Sequence, residues 1–286
     1  MNIISYLLGK NSSGGGGGGD TPTIGYVVNS FNQNGYPIEI TTYGYTTFPQ
    51  YFFKYINSNV SKVYQYLTKV SLNEGLTNTG DNVFDSCSNL SSVIFPTTLE
   101  ILGTSVFAGC TNLALTSLPN NIKRLYNYSF NNCTNLALTS LPSGLIQIGN
   151  SVFSNCINLA LTTIPDGVTQ LLNSVFVGCT KLKKMSMNNV TTINGSSTSN
   201  SAFQNCTGLK QVWIGSAITN NGFYRYSFNG CSNLEKMYIN LPRATVEGFT
   251  NYQYAFMNDT SKTGIIVCND DEGFISKAEF DALVIE

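Results

Sequence analysis

Cysteine is the residue of this chain with the widest chemical repertoire: as a thiolate it is a nucleophile and a metal ligand, and in pairs it forms disulfides. Eight are present, and seven of them stand in one phrase, a Phe, three positions later a Cys, three positions after that a Leu. It reads Phe84, Cys87, Leu90; Phe107, Cys110, Leu113; Phe130, Cys133, Leu136; Phe153, Cys156, Leu159; and Phe176, Cys179, Leu182, with a step of 23 residues from one Cys to the next. Looser copies follow at Phe203, Cys206, Leu209 and Phe228, Cys231, Leu234, and an eighth begins at Phe256 with Asp259 in the cysteine's place. A fixed period in the twenties marks a solenoid whose coils bury their apolar sides against their neighbours. In that setting free cysteine behaves as a small buried hydrophobe. Coils about 4.8 Å apart fall at the low end of the separation that a disulfide accepts. Identical side chains pointing in parallel are nevertheless poorly aimed at one another, so reduced, structural cysteines are expected. Cys268 lies outside the ladder and is the candidate reactive or paired thiol.

The other ingredients of catalysis are scarce. The chain has no histidine, which removes the commonest general base, proton shuttle and metal ligand. Between Phe84 and Thr180 the ionisable acids and bases other than cysteine and tyrosine are Asp85, Glu100, Lys123, Arg124 and Asp166, too few for the paired carboxylates of a hydrolase. Gly14–Gly19 satisfies G-x-G-x-x-G only because it is all glycine, with no strand before it and no Lys with Ser or Thr after it. The segment CNDDEGFISKAEF has the outline of half a calcium loop, but Cys268 holds the first ligand position and TGIIV before it reads as a strand. Ser276 and Glu279 there match a capping box for a short helix whose Phe280 and Leu283 would cover the last coil. A non-enzymatic chain with no cofactor and no metal is expected. Only 11% of its residues are charged and the formal net charge is −1, so there is no basic face for nucleic acid.

The unit from Cys110, CTNLALTSLPNNIKRLYNYSFNN, shows what positions these groups. Residues three, six and eight after the cysteine, such as Leu209, Val212 and Ile214, should face inward, the last two at strand spacing. Pro96, Pro119, Pro142 and Pro165 end the strand. A second inward pair follows, Leu99 with Leu102, Ile122 with Leu125, Leu145 with Ile148 and Val168 with Leu171, at a spacing that suits a tight turn or 3₁₀ segment. Positions four, five and seven then face out. In the middle coils these include Leu115, Leu138 and Leu161, which would line up as an apolar stripe of the kind that marks an interaction site. The competing reading is a local bulge that turns the leucines inward in place of Thr116, Thr139 and Thr162, and both stay open. Further along, the same face carries Lys183 and Lys184, then Lys210 and Trp213, then Lys236 and Tyr238. The protein's one Trp beside a Tyr, framed by lysines, is a candidate recognition surface for a protein or a glycan.

Five regions are expected: an attachment peptide at 1–10, a glycine-rich linker at 11–23, an N-terminal β cap at 24–60, the solenoid at 61–268 and a C-terminal cap at 269–286. Residues 24–60 alternate in Thr, Val, Ile and Tyr around Asn34-Gly35 and Pro37, which predicts short strands. The tether NSSGGGGGGD cannot hold structure, and the apolar Ile3, Ile4, Tyr6, Leu7 and Leu8 ahead of it read as an attachment device. That run is too short for a membrane span or a signal peptide, and no other stretch approaches about 18 apolar residues.

The pattern F-x-G/N-C-x-x-L-x-x-[VT]-x-[LI]-P, then two aliphatics and a return to Phe, resembles the BspA-like leucine-rich repeats of bacterial surface proteins. It covers roughly residues 61–260, in blocks such as FAGCTNLALTSLP and FSNCINLALTTIP. The later copies depart from it: Asn188, Gly215 and Asn240 replace the proline, and 188–202 carry a Ser/Thr/Asn-rich insertion. The resemblance implies a β-rich solenoid of about 23-residue coils, each a parallel strand plus short 3₁₀ or helical turns. It also implies adhesion or binding, on bacterial surfaces or in gut phages. Taken with the tether, the expectation is a binding module held on a larger assembly through residues 1–10, a phage particle contacting its host. A secreted or cell-surface adhesin and an intracellular protein-binding scaffold are the alternatives, and homo-oligomerisation stays open.

Overall fold

The computed structural model of the chain describes residues 25–31, 33, 37–48, 66–194, 201–224, 226–249, 255 and 265–285. The attachment peptide and glycine tether lie outside the described residues, as do residues 49–65, the heart of the insertion at 195–200 and the eighth copy of the phrase at Phe256 and Asp259.

A typical coil makes one short strand after its Cys and Leu, turns, makes a second, and returns through the Phe; after Cys110 and Cys133 the first strand is interrupted. On the first side, β1 (Gly25–Phe31) and β2 (Pro37–Tyr43) form an antiparallel hairpin, and β2 pairs in parallel with β3 (Lys69–Ser71), which pairs with β4 (Ser92–Ile94). The hairpin thus supplies partners to the edge of the first coil, which would otherwise be open. The same side resumes as a parallel sheet of β8 (Thr163–Ile164), β10 (Lys184–Met187), β12 (Gln211–Ile214), β13 (Lys236–Ile239) and β14 (Ile266–Cys268). On the second side β5 (Ile101–Leu102), β6 (Arg124–Leu125) and β7 (Gln147–Ile148) pair in parallel, and β9 (Gln170–Leu171) pairs with β11 (Thr192–Ile193). Among the described residues two helices follow in the last part, α1 (Arg243–Glu247) and α2 (Lys277–Ala282).

The prolines open the turn between the two sides. The N–H groups of Leu99, Ile122, Leu145 and Val168 donate to the carbonyls of Pro96, Pro119, Pro142 and Pro165 at 2.9 to 3.4 Å. The expected 3₁₀ segment is therefore one such turn, after which Leu102, Leu125, Ile148 and Leu171 enter two-residue strands.

The Phe–Cys phrase fills the third corner. Phe84, Phe107, Phe130, Phe153, Phe176, Phe203 and Phe228 form one stack, with successive ring centroids 5.0 to 5.9 Å apart. Each contact adds about 1 kcal/mol to the stabilisation from burying the rings. All eight cysteines are free and buried. Cys110, Cys133, Cys156, Cys179, Cys206 and Cys231 each point Sγ at the carbonyl of the Phe of the preceding coil, at 2.9 to 3.1 Å. Burial pushes the thiols of Cys87, Cys133 and Cys179 well above the ordinary range. The residue before each cysteine is left-handed, with φ of 72° at Gly109, 60° at Asn132 and Asn155, and 69° at Gly178. Gly and Asn tolerate that conformation best, which accounts for the G/N of the pattern.

Candidate binding face

The outward surface of the first side divides into two parts. In the middle coils the strand after the cysteine is interrupted, and there the apolar-stripe expectation is overturned. Leu138 and Leu161 are 0% and 1% exposed and Leu115 is half-buried, whereas Thr116, Thr139 and Thr162 are exposed. A shift of one residue in a strand exchanges its faces. Turning a leucine in and a threonine out favours the shifted register, since burying the leucine stabilises by roughly 2 kcal/mol. The ladder bonds follow the shift: Ala137 N–H donates to Leu115 O and Ala160 N–H to Leu138 O, both at 3.0 Å.

The bulge creates a site that strand alternation does not foresee. Thr116, Thr139 and Thr162 form one row of exposed hydroxyls, and Ser117, Ser140 and Thr163 a second beside it. The readable signal was the tripeptide after each middle Leu-Ala: LTS, LTS and LTT, at the same station three times. A groove of about 340 Å³ opens at the later two stations of these rows, lined by Thr139, Ser140, Thr162 and Thr163 together with Leu141, Ile164 and Pro165, with Asp166 and Lys277 bringing opposite charges. Asp166 also accepts from Asn188 Nδ2 at 3.2 Å, and Lys277 pairs with Asp281 one turn along α2. With a mixed hydroxyl and apolar lining and one charge of each sign, the groove suits a ligand of low net charge that presents hydrogen-bonding groups and apolar faces together.

In the later coils the register is the regular one. Met185, Met187, Val212, Ile214, Met237 and Ile239 face the core, and Ser186, Trp213 and Tyr238 stand in register on the outside. They are not open to solvent. Trp213 and Tyr238 are 3% and 4% exposed because α2 lies over them, and Lys184 is buried with them. The expected aromatic recognition surface is thus corrected to a covered one. Lys183 and Lys236 remain exposed and Lys210 half-exposed, with Lys236 Nζ 6.0 Å from the centre of the Tyr238 ring. Phe280 accordingly covers the outside of the sheet rather than the end of the last coil. The proposed attachment residues Ile3, Ile4, Tyr6, Leu7 and Leu8 lie outside the described residues.

The segment before α2 is engaged throughout. Asp271 takes two bonds from the Arg243 guanidinium and one from Cys268 N–H, and Asp270 accepts from Arg243 N–H at 2.7 Å. The Arg243 contact, helped by that N–H, holds the Asp271 carboxyl down at about 2. Ser276 and Glu279 make the capping box, and its two bonds from Ser276 lower the Glu279 carboxyl. The calcium-loop outline therefore resolves into a pinned turn and a helix cap. Cys268 is buried and unpaired, its thiol pushed up to about 11 chiefly by burial while Arg243 draws it down, which corrects the expectation of a reactive or bridged thiol. Among the described residues no cluster of acids and cysteines could hold a metal ion, and no helix is long and apolar enough to cross a membrane.

The BspA-type leucine-rich-repeat region matches six copies, at residues 43–160, 102–235 and 184–280. The chain belongs to this family. No curated protein matches the sequence. Among solved leucine-rich-repeat proteins, the T. pallidum leucine-rich-repeat protein is 20% identical, with 81% of this chain aligned to 94% of that one and a TM-score of 0.45. A leucine-rich cell surface protein from Faecalibacterium prausnitzii is 21% identical at a TM-score of 0.42, with 65% of this chain covering 63% of its length. A leucine-rich-repeat protein from Bacteroides ovatus is 16% identical at a TM-score of 0.39, with 87% and 98% covered.

Proposed function

We propose that this BspA-type chain is a non-enzymatic binding and adhesion module whose ligand lies along the hydroxyl rows of the middle coils. The observation that carries the reading is the two in-register rows of exposed hydroxyls beside the 340 Å³ groove. A repeated array of this kind contacts an extended or repeating ligand at several equivalent points, which raises avidity without any one strong contact. A glycan or a glycosylated protein on a cell surface has the matching chemistry. Two features speak for binding over catalysis: the thiols are buried, and Glu100, Asp271 and Glu279 are each engaged by a cation or a helix cap.

The apolar peptide at 1–10 and the glycine tether support presentation on a larger body, in this reading a phage particle contacting its host or a cell envelope. Deleting residues 1–19 should leave a folded solenoid that no longer appears in the purified particles or envelopes. Incorporation that survives the deletion sinks the attachment reading. For the binding face, the full chain is passed over immobilised polysaccharides and glycoproteins. Thr139→Arg and Thr162→Arg should abolish retention without changing the thermal melt. Retention unchanged in both variants, or no retention of the unaltered chain on any member of the panel, overturns it.

A further inference from the structure

The outer face of the later coils holds an occupant already. Ser186, Trp213, Tyr238 and Val267 form one outward row across β10, β12, β13 and β14, and Lys184, Gln211 and Lys236 a second. Helix α2 lies on them and makes an apolar cluster of its own, apart from the solenoid core, with Phe280 fully buried at its centre. The Tyr238 ring meets Phe280 nearly edge-on at 6.0 Å, and Lys184 Nζ stands 5.5 Å from the Phe280 ring centre. The last carbonyls of a helix have no partner within it. Here one ammonium collects them: Lys184 Nζ donates to the carbonyls of Phe280, Asp281 and Leu283 at 3.0, 2.7 and 2.7 Å. Trp213 Nε1 donates to Ile275 O at 3.2 Å.

The fit is incomplete. Ser186 Oγ and Gln211 Oε1, one in each row, are buried without a hydrogen-bond partner. Such groups lower the affinity of whatever covers them and reward a ligand that satisfies them. The connection is pinned at Asp271 and by Phe274 and Ile275, but α2 itself has under two turns to hold it in place.

We propose that this face is a receptor for an amphipathic helix of a protein partner, which α2 fills in cis until a better-matched helix displaces it. The resident helix defines the partner's chemistry: an aromatic anchor, an aliphatic residue three positions on, and an open C-terminal turn for Lys184. Acidic flanks like Glu279 and Asp281 suit the lysines that frame the site, Lys183, Lys184, Lys210 and Lys236. Amide or hydroxyl side chains aimed at Gln211 and Ser186 would give the partner its advantage over α2. This face adjoins the hydroxyl rows, since Ser186 pairs with Thr163 and Lys277 of α2 lines the groove, but the two readings are told apart by their readouts, Trp213 emission with peptide binding here and retention on the polysaccharide panel there.

The test uses the full chain and a fluorescein-labelled peptide of residues 274–285, with the single Trp213 as an internal reporter. In the Phe280→Ala, Leu283→Ala chain, Trp213 emission should shift to the red. The peptide should bind this chain at least tenfold tighter than the unaltered one and return the emission to the blue. Adding Lys184→Met should weaken the peptide at least tenfold. If the double variant does not fold, Ser276→Gly with Glu279→Ala weakens only the helix cap and should give the same two signals in smaller measure. A folded, red-shifted chain that does not take the peptide overturns the proposal, as does Trp213 emission that ignores the loss of Phe280. An unaltered chain that is dimeric by light scattering and becomes monomeric in the double variant assigns the face to a second copy, and overturns it equally.

Discussion

Lys184 Nζ and the carbonyl oxygen of Leu283 lie 2.7 Å apart although 99 residues separate them in the chain. Lys184→Met keeps an unbranched side chain one atom shorter and removes the charge and all three bonds. The C-terminal carbonyls of α2 would then face an apolar group, and bonds to a charged donor of this kind contribute about 1.5–3 kcal/mol each before their desolvation is counted. Amide hydrogen exchange should rise at least tenfold across residues 277–283 while the coils from Phe84 to Cys179 keep their protection.

The phenylalanine stack should be the most sensitive part of the core. Phe153→Ala removes a ring held between Phe130 and Phe176 and should cost about 3–5 kcal/mol, read as a lower denaturation midpoint. Phe95→Ala, at a partly buried edge contact with Phe107, should cost markedly less.

Thiol chemistry should be silent until the coils open. At pH 8 the native chain should react with less than one equivalent of a thiol reagent over an hour, and all eight cysteines should react in denaturant. Rapid native labelling at Cys268 would contradict its burial and its raised ionisation range.

Glycine is required where coils touch most closely. A Cβ at residue 103 would stand 1.9 Å from the carbonyl oxygen of Gly80, whereas one at Gly144 would meet nothing within 4 Å. Gly103→Ala should destabilise by about 1–3 kcal/mol, as overpacking does. Gly144→Ala should change the denaturation midpoint little.

Acid should loosen the C-terminal segment through Asp271. Its carboxyl is held at about 2, below the ordinary carboxylate range, so between those values the unfolded chain binds more protons than the folded one. The stabilisation is complete above about pH 4 and is lost as the pH falls through about 2. The unaltered chain should therefore melt above Asp271→Asn at pH 5, and the difference should shrink toward pH 2. An equal difference at both pH values would show that the Arg243 contact is not what stabilises this turn.

Much of the architecture is legible in the amino-acid sequence because each coil is specified by local spacing and repeated many times. The Phe, Cys and Leu stations, the turns after the prolines and the inward pairs at Met185 and Met187 or Val212 and Ile214 all follow from one period. The middle coils depart from it because a leucine five positions after the cysteine outcompetes the threonine beside it for the core, and one period cannot express such a local contest. Trp213 was misplaced for a different reason. Alternation puts it outside correctly, but the group that covers it arrives 62 residues later, and no strand pattern carries that distance. The capping box at Ser276 and Glu279 was readable; where its helix docks was not.

The clasp between Lys184 and the end of α2 also shapes how the molecule would bear load. It ties β10 back to a segment that leaves from β14, so the intervening strands sit inside a closed loop. A pull directed along the solenoid would act on the coils before β10 one ladder at a time, whereas the clasped coils would have to give way together. While α2 is seated, the aromatic slot and its lysine thus make the C-terminal coils the stiff ones, and leave the hydroxyl-bearing coils as the part that yields first.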